Sequence, residues 1–128
     1  MVSILEDLIV GINETTGLQC YAEMPNGSFH LPMIVITESK NSTSTVAFNG
    51  RVEVANLSYQ ITIYSSEVDD IYTYQELIDN YFKNEVKRFD GTFGMVQQKY
   101  PIYYRMLTYS GIVQKKDNNY IILWKEWL

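Results

Sequence analysis

The sequence is poor in the residues that most protein chemistry needs. Its 128 residues include one cysteine, Cys20, and one histidine, His30. A lone cysteine excludes an intrachain disulfide and any zinc site built from several thiolates, so nothing requires an oxidising compartment. A lone imidazole restricts any Ser-His-Asp or Cys-His arrangement to His30, with Cys20 or a serine as its partner. His30 beside Pro32 reads more simply as a loop residue, and Cys20 as a small core residue. Positive charge is scarce too. Ten Lys and Arg against fifteen Asp and Glu leave a net charge of -5, which argues against tight sequence-independent binding to DNA. The small basic groups at Lys83, Lys87 and Arg88 and at Lys115 and Lys116 are diluted by Glu85, Asp90 and Asp117. No apolar run approaches the roughly 18 residues of a spanning helix, and the basic and apolar regions of a secretory signal are missing. Neither membrane insertion nor export by that route is expected.

Phosphate-binding loops are lacking as well. Gly91-Thr92-Phe93-Gly94 is too short, has no lysine, and reads as a turn. The acidic trio Glu67, Asp69 and Asp70 is explained by a helix start, where carboxylates meet the positive end of the helix dipole. No catalytic residue, metal or cofactor is expected, and the chain reads as a non-enzyme.

What is present is the composition of a globular protein: 46% apolar and 20% charged residues. A chain of this length buries roughly two-thirds of its unfolded surface. One domain covering residues 1–128 is expected, with one core.

Ile4, Leu5, Leu8, Ile9 and Ile12 recur at helical spacing, with Glu6, Asp7 and Asn13 on the other side, which predicts a helix over 2–13. Gly11, Asn13 and Gly17 mark its end. Residues 18–23 form a short strand, and Met24-Pro25-Asn26-Gly27-Ser28 is a turn. Met33-Ile34-Val35-Ile36 is a short apolar run, read as a strand covered on both faces. Residues 38–50 are polar and hydroxyl-rich, with Val46 and Phe48 as the apolar anchors, and predict a long loop or projecting hairpin. In the strand that follows, Val52 and Val54 share one face while Leu57, Tyr59, Ile61 and Ile63 share the other, so a bulge near Ala55-Asn56 is expected. Ser66-Glu67-Val68-Asp69 has the form of a capping box. The helix it opens carries the stripe Ile71, Tyr74, Leu77, Ile78, Tyr81 and Phe82, and Asp90-Gly91 ends it. Strands over 100–109 and 112–116, a turn at Asp117-Asn118 and a return over 120–125 complete an α+β fold: a mainly antiparallel sheet packed against two helices, with a long polar loop or hairpin.

Eleven tyrosines and two tryptophans raise the question of a stacking platform for sugars or single-stranded nucleic acid. The acidic balance and the core-like spacing of most of them point instead to packing. Tyr103, Tyr109, Trp124 and Trp127 then remain as a surplus, some of which alternation turns away from the core; they suit either subunit contacts or burial within a monomer, with Trp127, at the penultimate position, the clearest contact candidate.

The opening Ile4-Leu5-Glu6-Asp7-Leu8-Ile9 helix, Tyr21-Ala22-Glu23-Met24-Pro25, Leu31-Pro32-Met33-Ile34-Val35-Ile36, the polar segment around Asn41, the Tyr59-Gln60-Ile61-Thr62-Ile63-Tyr64 strand before a helix, and the C-terminal hairpin form a layout. It resembles that of tail terminator proteins of long-tailed bacteriophages, also called tail completion or head-tail joining proteins. The resemblance implies a homo-oligomeric ring, usually a hexamer, at the head-proximal end of the tail tube. Such a ring stops tube polymerisation and meets the head connector protein, with tail tube protein as the other partner. It implies a virion component assembled in the host bacterial cytoplasm, with DNA only as passing cargo, for which an acidic wall suits a conduit. The contact candidates are then Lys40, Asn41, Ser42, Thr43, Phe48 and Arg51 in or beside the polar segment, together with Trp127. A head-completion or connector protein, a small enzyme using His30 and Cys20, and a carbohydrate-binding module using Trp124 and Trp127 are the competing readings.

Overall fold

The computed structural model describes residues 3–25, 27, 30–47, 51–86, 89–116 and 119–123, with the backbone alone at 43–47, 51–52, 116 and 119–123. Phe48 and Trp127 lie outside the described residues, as does Trp124.

Helix α1 spans Leu5–Thr16, three residues further than its apolar stripe alone predicts. Ile4, Leu8 and Ile12 form its buried face. The helix stops at Gly17, whose φ of 72° is the left-handed conformation that side chains disfavour. Its N–H closes on the Asn13 carbonyl at 2.9 Å. The Asn13 side chain then accepts the Cys20 N–H at 2.6 Å, which fastens the helix end to β1, Cys20–Tyr21. This strand is shorter than the expected 18–23 and pairs in parallel with β2.

Strand β2 runs from Met33 to Ala47 and β3 from Arg51 to Ser65. The polar stretch is therefore one arm of a long hairpin and not a loop. All four residues of Met33-Ile34-Val35-Ile36 are buried, but helices cover only the face of Ile34 and Ile36; Met33 lies on the other face, so the strand is not covered by helices on both sides as expected. The expected bulge at Ala55-Asn56 is not found. Strand β3 stays in continuous register with β6, and the irregularity lies on β2, where Glu38 pairs Tyr59 and Lys40 pairs Ser58, leaving Ser39 over. Val54 thus belongs to the face opposite Leu57 and Tyr59.

Helix α2, Val68–Tyr81, continues as a π-helical turn over Phe82–Val86. The expected capping box at Ser66 is not formed: the N-cap is Glu67, with no side-chain bond to the helix N-terminus. Buried Ser65 accepts the Glu67 N–H at 3.2 Å and donates to Asp70 at 2.8 Å. The second expected turn is also corrected: Asp90–Phe93 is strand β4, because residues 107–110 supply a ladder to pair with. Strand β5, Gln97–Lys99, and the single long strand β6, Ile102–Lys116, precede β7, Asn119–Leu123.

The strands join in one sheet in the order β1-β2-β3-β6-β4, with β5 and β7 also on β6. Strand β6 is thus paired with β3 along one side and with β5, β4 and β7 in series along the other. Only β1 with β2 is parallel, so the fold is the mainly antiparallel α+β arrangement expected, with both helices on one face. Alternation along the strands sends Ile34, Ile36, Leu57, Tyr59, Ile61, Ile63, Leu107, Tyr109 and Val113 into one cluster with Leu8, Ile12, Ile71, Ile78 and Phe82. Stacked rings form its centre. The Phe82 and Tyr109 rings lie 3.8 Å apart and nearly parallel at 3°, and Phe89 packs beside Phe82 and Tyr59.

Candidate functional site

The residues first examined for chemistry are placed apart from any reactive arrangement. Cys20 is buried, and loss of hydration pushes its thiol up to about 12. A nucleophilic cysteine needs the opposite shift, toward thiolate. His30 is exposed in the loop before β2. Among the described residues no group of three His, Cys, Asp or Glu side chains converges to hold a metal ion. Asp70 is engaged by Ser65 at the start of α2. No helix of the described residues is long and apolar enough to cross a membrane.

Two hydroxyl–carboxylate pairs tie the helices to the sheet. Tyr59 donates to Glu38 at 2.8 Å and accepts the Ile4 N–H at 3.1 Å, while Ser3 also donates to Glu38 at 2.9 Å. The first turn of α1 is therefore fastened to β2 and β3. Tyr109 donates to Asp79 at 3.0 Å, and Asp79 also meets Lys83 on the surface. Burial, and then the neighbouring carboxylate, raise both phenols, Tyr59 to about 12. A raised folded-state value favours the neutral phenol. Stability from these groups and from Cys20 is therefore complete below their ordinary values of 9.0 to 10.0 and drains as pH climbs toward 12. Urea midpoints measured from pH 7 to 11.5 are expected to hold level to about pH 8.5 and then fall. Each buried group adds a slope of about 1.4 kcal/mol per pH unit. Tyr59→Phe is expected to flatten the upper part of that decline, and an unchanged slope would refute the assignment.

The second face of the sheet carries neither helix. Its central rows are hydroxyl and amide: Thr37, Lys40, Ser42 and Asn56 are exposed, and Ser58, Gln60, Thr108 and Ser110 are partly so. The Ser58 and Ser110 hydroxyls meet at 2.7 Å, and Ser39 donates to the Ser58 carbonyl at 3.2 Å. Toward the start of β2 this face turns apolar. Met24, Met33, Tyr64, Lys99, Ile102 and Tyr104 line a shallow depression of about 400 Å³, with Met106 42% exposed nearby. The Tyr64 and Tyr104 rings are 5.9 Å apart. Neither tyrosine stood out in the sequence; the alternation Ile102, Tyr104, Met106 was the available signal.

Of the contact candidates, Lys40 and Ser42 are exposed and Asn41 is partly buried. Together with Thr43 they occupy consecutive positions on β2, opposite Ser58 to Ala55 of β3. Arg51 stands across from Ala47 at the far end of the same hairpin. The hairpin thus puts Lys40 and Ser42 on the face without helices, sets Asn41 and Thr43 at the alternate positions opposite core residues Leu57 and Ala55, and leaves Arg51 at the far end.

A third surface, unforeseen in the sequence, surrounds Arg105. Its guanidinium donates to the Gly94 carbonyl and the Gln75 side chain, each at 2.6 Å. The same group lies 5.9 Å from the Tyr72 ring and 5.8 Å from the Phe93 ring. Cation–π contact and bidentate donation lock α2 to the β4–β6 ladder. Tyr72 is 53% exposed beside it. No protein-family model matches the chain, and no curated protein is similar to it in sequence.

Proposed function

We propose that this chain is a structural subunit that forms a ring at the head-proximal end of a phage tail tube, stops tube polymerisation and joins the tail to the head. The observation that carries the reading is the asymmetry of the sheet. Three 15-residue strands, β2, β3 and β6, form the sheet's centre; both helices pack on one face, and the other carries hydroxyl and amide side chains in its middle rows, from Thr37, Ser42, Asn56, Ser58, Gln60, Thr108 and Ser110. A sheet face that no helix covers, polar in its middle rows and apolar toward the start of β2, fits a subunit that lies against other subunits or against passing cargo. The net charge of -5 supports the same reading, since an acidic wall does not retain a polyanion. The layout of the opening helix, the β2–β3 hairpin and the C-terminal hairpin supports it through the resemblance described above.

The test is light-scattering mass of the purified protein over a concentration series, with and without purified tail tubes. A discrete ring, or a ring formed only at tube ends, is the expected result. A strict monomer that ignores tubes overturns the proposal, and binding to capsids instead of tubes transfers the protein to the head side of the joint.

A further inference from the structure

At the tip of the hairpin the sheet narrows to four strands that lie in register. Ser42–Val46 of β2, Val52–Asn56 of β3, Ile112–Lys116 of β6 and Asn119–Leu123 of β7 form five continuous rows, one of them Ser44, Val54, Gln114 and Ile121. Each neighbouring pair is antiparallel. An even number of alternating strands makes the two outer ones, β2 and β7, antiparallel to each other. Among the described residues neither has a strand on its outer side at these rows, because β1 covers β2 only at Ile34 and Val35.

Open edges are ordinarily guarded by prolines, charges or bulges. Here the guards end early. The irregularity at Ser39 and the exposed Lys40 precede the open stretch. Beyond them Ser-Thr-Ser-Thr-Val on β2 and Asn-Tyr-Ile-Ile-Leu on β7 contain no proline and no charge. Threonine, valine, isoleucine and tyrosine favour strands.

We infer that β7 of one copy pairs with β2 of the next, head to tail, so that the four-stranded ribbon continues from copy to copy; the biological setting rests on the ring reading above. A second copy is the occupant that both edges fit at once. Set alongside in the same orientation, it presents β2 antiparallel to β7 with the rows aligned. The contact joins unlike surfaces, so repetition closes a ring if the rotation permits and otherwise runs on as a filament. A two-fold dimer through β2 alone would leave the apolar β7 edge open in both copies. The seam is short, five residues a side, and gains from a template that gathers several copies.

The test uses the full chain with Ser44→Cys in one preparation and Ile121→Cys in another, tagged to differ in mass. Buried Cys20 is common to both and is controlled by the wild type. Circular dichroism matching the wild type qualifies each variant, and the pairs Ser42→Cys with Leu123→Cys and Val46→Cys with Asn119→Cys cover a failure to fold and the adjoining rows. Oxidation of the mixture, with and without tail tubes, is expected to give a disulfide-linked pair containing one copy of each kind, and neither preparation alone is expected to link. A dimer from Ser44→Cys alone, or no mixed pair in any row, overturns the inference. The two proposals fail separately. A ring by light scattering without mixed links removes the seam and keeps the ring, while mixed links in a protein that ignores tubes keep the seam and remove the tail.

Discussion

Phe82→Ala is expected to be the most damaging single truncation in the chain, lowering stability by about 3–5 kcal/mol. Phe82 is 2% exposed. Its ring lies flat against Tyr109 at 3.8 Å, meets Tyr81 edge-on at 5.7 Å and approaches Phe89 at 6.1 Å. The π-helical turn that begins at Phe82 places it under the sheet at the point where α2 would otherwise continue outward. Alanine leaves a cavity between helix and sheet and takes away the ring packed against Tyr109, the donor to Asp79. Domains of this size have about 5–15 kcal/mol in all, so the loss is a large share of the total. The measurement is urea unfolding, where the midpoint is expected to fall by at least about 1 M. Phe82→Leu, which keeps most of the volume, is expected to lose less than about half as much. A loss below about 1 kcal/mol for the alanine would mean that the helices do not depend on this stack.

Gly111→Val is expected to destabilise by about 1–3 kcal/mol through overpacking. Gly111 is buried on β6 opposite Leu57. A Cβ there would overlap the ring of Phe89, which packs beside Tyr59 and Phe82 and would have to leave those contacts to make room. The residue is glycine because an aromatic ring occupies the place of its side chain. Phe89→Ala is expected to lose stability as well. In that background valine should become nearly neutral or favourable, since it fills the vacated space and suits a strand better than glycine. The two changes should therefore couple by at least about 1 kcal/mol in a double-mutant cycle. Simple additivity would refute the contact.

How much of this was legible depended on whether the signal was local. The stripe Ile71, Tyr74, Leu77, Ile78 and the run Leu8, Ile9, Ile12 announce helices because burial repeats within a single element. The slip of phase between Val54 and Leu57 was equally visible, but its cause was not. Val54 lies on the face without helices, and the irregularity on the neighbouring strand falls at Ser39, where Glu38, Lys40 and Asn41 carry no hydropathic contrast. The polar residues at 41–45 suited a loop or a hairpin arm equally, and only pairing with β3 decides for the strand. Asp90 to Gly94 misled for the same reason, since the ladder with β6 comes from residues 107–110. The start of α2 was legible but its capping box was not: the N-cap is Glu67 without a side-chain cap, and Ser65 ahead of it holds the Glu67 N–H and Asp70. For the site, the polar character of Lys40 and Ser42 correctly marked exposed positions. The unguarded edge of β7 and the Arg105 clamp involve partners 11 to 30 residues away or none at all, and periodicity holds no record of either.

The unequal flanks of β6 have a mechanical consequence. A pull along this strand is carried in shear by its fourteen-residue row with β3, Tyr103 to Lys116. Strands β5, β4 and β7 hang from the other side by three, four and five residues, and each can peel without unseating the next. In an assembly joined through β7, strain reaches the short flank before the spine. The seams between copies then act as the fuse, opening and resealing while every subunit keeps its core folded.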